Sequence, residues 1–129
     1  SSWHNRHMHQ ATRQEQAQAI LQRRGQAMAS RMLDRRANSA ADFEEAFNLE
    51  RIDLISEIPT PEAMLALGRN TAGPTDDLYI HDDGGSYRVY IQEKGEIYYL
   101  TTGASFDEAR DEVIDRLIQL QGLPFTPPG

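Results

Sequence analysis

Asp77-Leu78-Tyr79-Ile80-His81-Asp82-Asp83-Gly84-Gly85-Ser86-Tyr87-Arg88-Val89-Tyr90-Ile91-Gln92-Glu93-Lys94-Gly95-Glu96-Ile97-Tyr98-Tyr99-Leu100-Thr101-Thr102 is the stretch that decides the fold. Apolar and polar residues alternate along it with period two, the mark of half-buried strands. Asp83-Gly84 and Lys94-Gly95 are both two-residue turn signals. Three short antiparallel strands are therefore predicted, at about 77–82, 86–93 and 96–102. Two-residue turns fix a register. The second turn pairs Ile91 with Tyr98 and Val89 with Leu100, and the first pairs Ile80 with Tyr87 and Leu78 with Val89. One face then collects Leu78, Ile80, Tyr87, Val89, Ile91, Tyr98 and Leu100 and is read as the core face. The other holds Tyr79, His81, Arg88, Tyr90, Gln92, Ile97, Tyr99 and Thr101. Its three tyrosines do not suit a face left to water, so either the N-terminal helices or a partner should cover it.

Downstream, the period changes to that of a helix. Ser105 and Glu108 have the spacing of a capping box. Phe106, Ala109, Val113, Leu117 and Leu120 form one stripe, widened by Ile114 and Ile118. Asp107, Glu108, Asp111 and Glu112 lie where the helix dipole favours negative charge. This helix is expected to cover Val89, Ile91, Tyr98 and Leu100. Gly122 and Pro124 stop it, and residues 123–129 are expected to be a loose tail.

Upstream, Gln10 to about Arg36 is rich in Ala, Gln, Arg and Met and contains no Pro. It predicts one long helix with Ala17, Leu21, Met28 and Met32 on its apolar stripe, weakened at Gly25. Ser39, with Asp42 at the reciprocal position, opens a second helix that fades near Ser56. Thr60 and Pro61 open a short third helix that Gly68 can end, and residues 69–76 read as a loop. Together these elements predict an α+β fold: N-terminal helices packed on or beside a three-stranded antiparallel meander, with an amphipathic C-terminal helix on the sheet. Residues 10–122 are read as one domain. Residues 1–9 are read as a vector-derived or disordered N-terminus, because Ser1 to His7 resembles expression-vector sequence ahead of Met8.

The 129 residues suit one domain and include no cysteine, which excludes disulfides and thiolate metal sites. No apolar run approaches the roughly 18 residues of a membrane span. The net charge of −7 is uneven. Residues 1–37 carry seven Arg against two acidic residues, a balance of +5, and the remainder carries six basic against eighteen acidic residues, a balance of −12. Such a field repels nucleic acid and attracts basic proteins, although acidity also serves solubility.

Chemistry-bearing groups are few. His81-Asp82-Asp83 puts an imidazole beside carboxylates, but a metal needs further ligands. His4, His7 and His9 lie in the N-terminal segment set aside above. Gly84-Gly85 precedes no helix and so makes no phosphate cradle. No serine stands in a nucleophile-elbow context. The arginines at 23, 24, 31, 35 and 36 are read as pairing with the acidic body rather than touching nucleic acid. The expectation is a protein without catalytic residues, cofactor or metal.

Tyr79-Ile80, then Gly85-Ser86-Tyr87-Arg88-Val89-Tyr90-Ile91-Gln92-Glu93-Lys94-Gly95-Glu96, then an acidic helix, resembles small immunity proteins of bacterial polymorphic or contact-dependent toxin systems. Thr102-Gly103-Ala104-Ser105-Phe106-Asp107-Glu108-Ala109 after three strands is similar to the domain of HicB-type antitoxins. Each resemblance spans about a third of the chain, and the Arg-rich first helix belongs to neither. The first implies a cytoplasmic protein that binds and neutralises a cognate toxin, a basic one given this charge. The partner-binding residues expected are Tyr79, Asp82, Asp83, Arg88, Tyr90, Glu93, Glu96 and Tyr99, with tyrosines as anchors and charges for rate and register. The alternatives are an acidic secretion chaperone for an effector and a HicB-like antitoxin. A protein partner is expected in every case, with neither nucleic acid nor membrane, and the oligomeric state stays open.

Overall fold

Helices at both ends of the chain and a meander between them give an α+β protein, as the patterning predicts. The computed structural model describes residues 10–129; the expectations for residues 1–9, including His4, His7 and His9, lie outside the described residues. The elements are α1 (Arg13–Leu21), α2 (Gly25–Leu33), α3 (Ala40–Ala46), α4 (Arg51–Ser56), α5 (Pro61–Leu65), β1 (Asp77–Asp82), β2 (Tyr87–Glu93), β3 (Glu96–Ala104) and α6 (Phe106–Leu120). Contacts group them into two units. One runs to Glu57 and resumes at Gln121–Gly129, and the other is Ile58–Leu120.

In the first unit, the single long helix expected from Gln10 to Arg36 is two helices. Thr12 and Glu15 cap α1 reciprocally. The chain then turns at Arg23, whose φ is 63°, before α2 begins at Gly25. Gln121 holds the break: its side-chain NH2 donates to Ile20 O at 2.8 Å, and its Oε1 accepts from Gly25 N at 3.1 Å. A Cβ at position 25 would stand 2.8 Å from Leu123 Cδ1, so a side chain there requires Leu123 to shift.

The helix expected from Ser39 to Ser56 is also two. Ser39 and Asp42 cap α3 as their spacing predicts. Phe47 then turns extended, and the Gln16 side chain, 1% exposed, accepts from Asn48 N and Leu49 N at 3.0 and 3.1 Å. A buried glutamine satisfies the amides that the break releases. Residues 123–129 are tied down, which corrects the expected loose tail. Leu123 is buried, Phe125 packs on Phe47 with ring centroids 5.5 Å apart, and Arg51 N donates to Pro128 O at 2.9 Å.

In the second unit, Thr60 and Pro61 open α5 as predicted. The sheet is antiparallel in the order β1-β2-β3. The second turn has the expected form: Glu93 faces Glu96 across Lys94 (φ 52°) and Gly95 (φ 79°), and Ile91 pairs with Tyr98. The first turn is longer than expected. Asp82 pairs with Tyr87, and Asp83 N donates to Ser86 O at 2.8 Å, closing a four-residue connection. Leu78 therefore pairs with Ile91 and Ile80 with Val89, two residues from the expected register. An even slip keeps each side chain on its face, so Leu78, Ile80, Tyr87, Val89 and Ile91 are buried as expected.

β3 breaks the pattern. Val89 pairs with Thr101 rather than Leu100, and Tyr87 with Ala104. Each shift adds one residue to β3, with Tyr99 (φ 58°) and Gly103 (φ 63°) in the left-handed region. One extra residue reverses the alternation, so Leu100 leaves the core face and is 55% exposed. Tyr98 is 45% exposed. Helix α6, opened by the reciprocal Ser105–Glu108 cap, packs chiefly on β2 through Ala109, Val113, Ile114, Leu117 and Ile118. Of the four residues it was expected to cover, Val89 and Ile91 are buried, whereas Tyr98 and Leu100 are not.

Charge divides along the same units. Residues 58–120 hold twelve acidic against five basic residues, and the rest of the chain holds eight of each. The whole of the −7 therefore belongs to the second unit.

Candidate functional site

Over β1 and β2, the second sheet face is closed by the chain's own residues 69–76. Arg69 bridges Tyr79 in parallel, donating its N–H to Leu78 O at 2.9 Å and accepting from Ile80 N at 2.8 Å. The Tyr79 hydroxyl donates to Thr75 O at 2.6 Å, and the Gln92 side chain donates to Gly73 O at 2.8 Å. Lys94 N donates to Asp76 Oδ1 at 2.9 Å, pinning the same segment at the other hairpin. The three rings beneath are stacked, with Tyr79 and Tyr90 5.2 Å apart and His81 beside both.

That arrangement corrects the site predicted for Tyr79 and Tyr90. They are 0% and 4% exposed and present no ring to a partner. Burial raises the Tyr90 hydroxyl above its ordinary range. The hydrogen bonds of His81 also fix its chemistry. Asn70 O, 3.2 Å from Nδ1, can only accept, so Nδ1 carries the hydrogen. In the neutral ring, Nε2 then accepts from the Tyr90 hydroxyl at 2.8 Å. Both ring nitrogens are engaged, which leaves no lone pair for a metal or a substrate proton.

The neighbouring carboxylates do other work. Asp82 Oδ1 accepts from Gly84 N at 2.9 Å and shapes the turn. Asp83 Oδ2 pairs with Arg88 Nε at 2.7 Å, and this guanidinium holds the carboxyl below its ordinary range. Among the described residues, no group of three His, Cys, Asp or Glu could hold a metal ion. No described helix is long and apolar enough to cross a membrane.

Of the residues predicted to meet a partner, Asp82, Asp83, Glu93, Glu96 and Tyr99 are exposed and Arg88 is half-buried. They are not one patch. Asp82, Asp83 and Arg88 belong to the first turn and Glu93 and Glu96 to the second, at opposite ends of β2, about 20 Å apart at the strand rise. Tyr99 lies on the edge strand β3, with the Arg116 guanidinium 4.5 Å over its ring.

Beside the second turn lies a group that the sequence pattern assigned otherwise. Ile97, Tyr98, Tyr99 and Leu100 are 52%, 45%, 54% and 55% exposed. Four consecutive large apolar side chains on one strand expose both of its faces, beginning one residue after Glu96. A signal for this stands in the sequence: no strict alternation can place Ile97, Tyr98, Tyr99 and Leu100 all on one buried face.

No family model, curated protein or solved structure matches the chain.

Proposed function

We propose that this chain is an immunity or antitoxin-type protein that binds and neutralises a basic protein partner in the cytoplasm, without catalysis of its own. The observation that carries the reading is the coincidence, in residues 58–120, of all the net charge with the exposed apolar row Ile97–Leu100. Charge without apolar surface serves solubility; apolar surface rimmed by charge serves association. Long-range attraction brings a basic partner in quickly, and burial of Tyr98, Tyr99, Ile97 and Leu100 slows its escape. The resemblance of the hairpin and acidic helix to immunity proteins supports the same reading. The engagement of both His81 nitrogens favours it over an enzyme built on that histidine.

The test is co-expression with the product of the adjacent reading frame in a host that this product kills. Growth should be restored, and calorimetry on the purified pair should show affinity falling steeply as salt rises. Failure to restore growth, or an affinity indifferent to salt, overturns the reading.

A further inference from the structure

We infer that the outer edge of β3 is a docking site for a short, extended, basic segment of the partner, which adds to the sheet beside β2's other neighbour. The inference rests on the partner-binding reading of residues 58–120 and specifies how that unit binds.

The two edges of the sheet differ. At β1, Arg69 occupies backbone groups of Leu78 and Ile80. At β3, the strand order ends, so among the described residues the outer backbone groups face no further strand. Unpaired N–H and C=O groups along an exposed apolar strand are a template for strand addition. The apolar row selects the occupant's conformation. A helix laid on the sheet would cover one face, whereas an added strand sets side chains beside both faces, and both are apolar here.

Charge selects its composition. Glu93 and Glu96 stand at one end of the row, and the unit carries −7. A second copy would bring another −7 against it, while a segment alternating apolar residues with Lys or Arg matches both features. The bulges select its length. At Tyr99 and Gly103 the strand leaves regular geometry, so a long flat strand cannot pair straight along it. The occupant is therefore short, held beside Glu96–Tyr98 or Leu100–Thr102.

The experiment uses the full chain, labelled for NMR, and three blocked hexapeptides: one alternating Lys and Val, one alternating Glu and Val, and the Lys–Val peptide N-methylated at alternate residues. The Lys–Val peptide should shift amides of residues 96–102, and N-methylation should weaken it at least tenfold. Leu100→Lys, at an exposed position, should weaken it by a similar factor with the spectrum otherwise folded. Equal binding of the N-methylated peptide overturns strand addition and leaves the attraction of basic partners standing. Equal or tighter binding of the Glu–Val peptide overturns the charge argument, and with it the proposed function. No binding, with light scattering showing a dimer that Leu100→Lys dissociates, gives the edge to a second copy and overturns the inference. No binding to a monomer overturns it as well.

Discussion

β1 and β3 flank the same central strand and meet opposite fates. From Leu78 to His81, β1 is buried at four consecutive positions, beneath the 69–76 segment on one face and in the apolar core on the other. From Glu96 to Leu100, β3 is exposed at five. The two strands have similar composition: Leu-Tyr-Ile in one and Ile-Tyr-Tyr-Leu in the other. Burial here follows from what the neighbouring chain supplies. The segment before β1 folds back over it, and the bulge after Tyr98 turns Leu100 out of the core register.

Ile80→Ala should break the β1 side most severely, costing about 2–5 kcal/mol in denaturant unfolding because the side chain is fully buried. Tyr90→Phe should come next. It removes the donor to His81 Nε2 and leaves a buried acceptor unpaired, at about 1–3 kcal/mol. Gly103→Ala sharpens the β3 side. A side chain at φ 63° should cost about 1–2 kcal/mol even though a Cβ there meets only open space. Leu100→Ala should change stability by no more than about 0.5 kcal/mol, as for a surface position. A loss as large as that of Ile80→Ala would erase the distinction between the strands.

Acid should separate the flanks by least. Asp83 is held below the ordinary carboxylate value by Arg88, so its contribution is full above about pH 4 and fades as pH falls further. Asp42, whose carboxyl is lowered to about 2, chiefly by the Asn38 N–H and then by Arg35, behaves alike in the first unit. Carboxyl titration followed by NMR checks both, and Arg88→Gln should return Asp83 toward its ordinary value.

Much of this fold was legible because it rests on local chemistry. The caps at Ser39, Thr60 and Ser105, the Lys94-Gly95 turn and the stripe of α6 each depend on residues a few positions apart. What escaped the sequence depends on distant partners. The break before Gly25 requires Gln121, 96 positions away, and the break at Phe47 requires Gln16. The first-turn register was missed because Asp83-Gly84 and the longer Asp83–Ser86 connection both satisfy the same turn chemistry. The exposure of the charged residues was legible, and the burial of Tyr79 and Tyr90 was not. Tyr79 and Tyr90 alternate as surface residues would, but the returning 69–76 segment binds Tyr79, and Tyr90 is stacked against it. Ile97 and Leu100 carry no polar atom to mark them as surface.

The bonds of Gln121 to Ile20 and Gly25 set an order on biosynthesis. The unit containing α1 to α4 is discontinuous, and its last pieces, residues 121–129, leave the ribosome after residues 58–120. Residues 58–120 are contiguous and emerge complete before it can close. Domains fold as units while they are synthesised. The middle of this chain can therefore reach its final form first, and the helical unit, although begun earlier, finishes last. A chain stopped at Leu120 would carry a finished sheet and an unfinished helical unit, a difference that proteolysis of arrested chains would show.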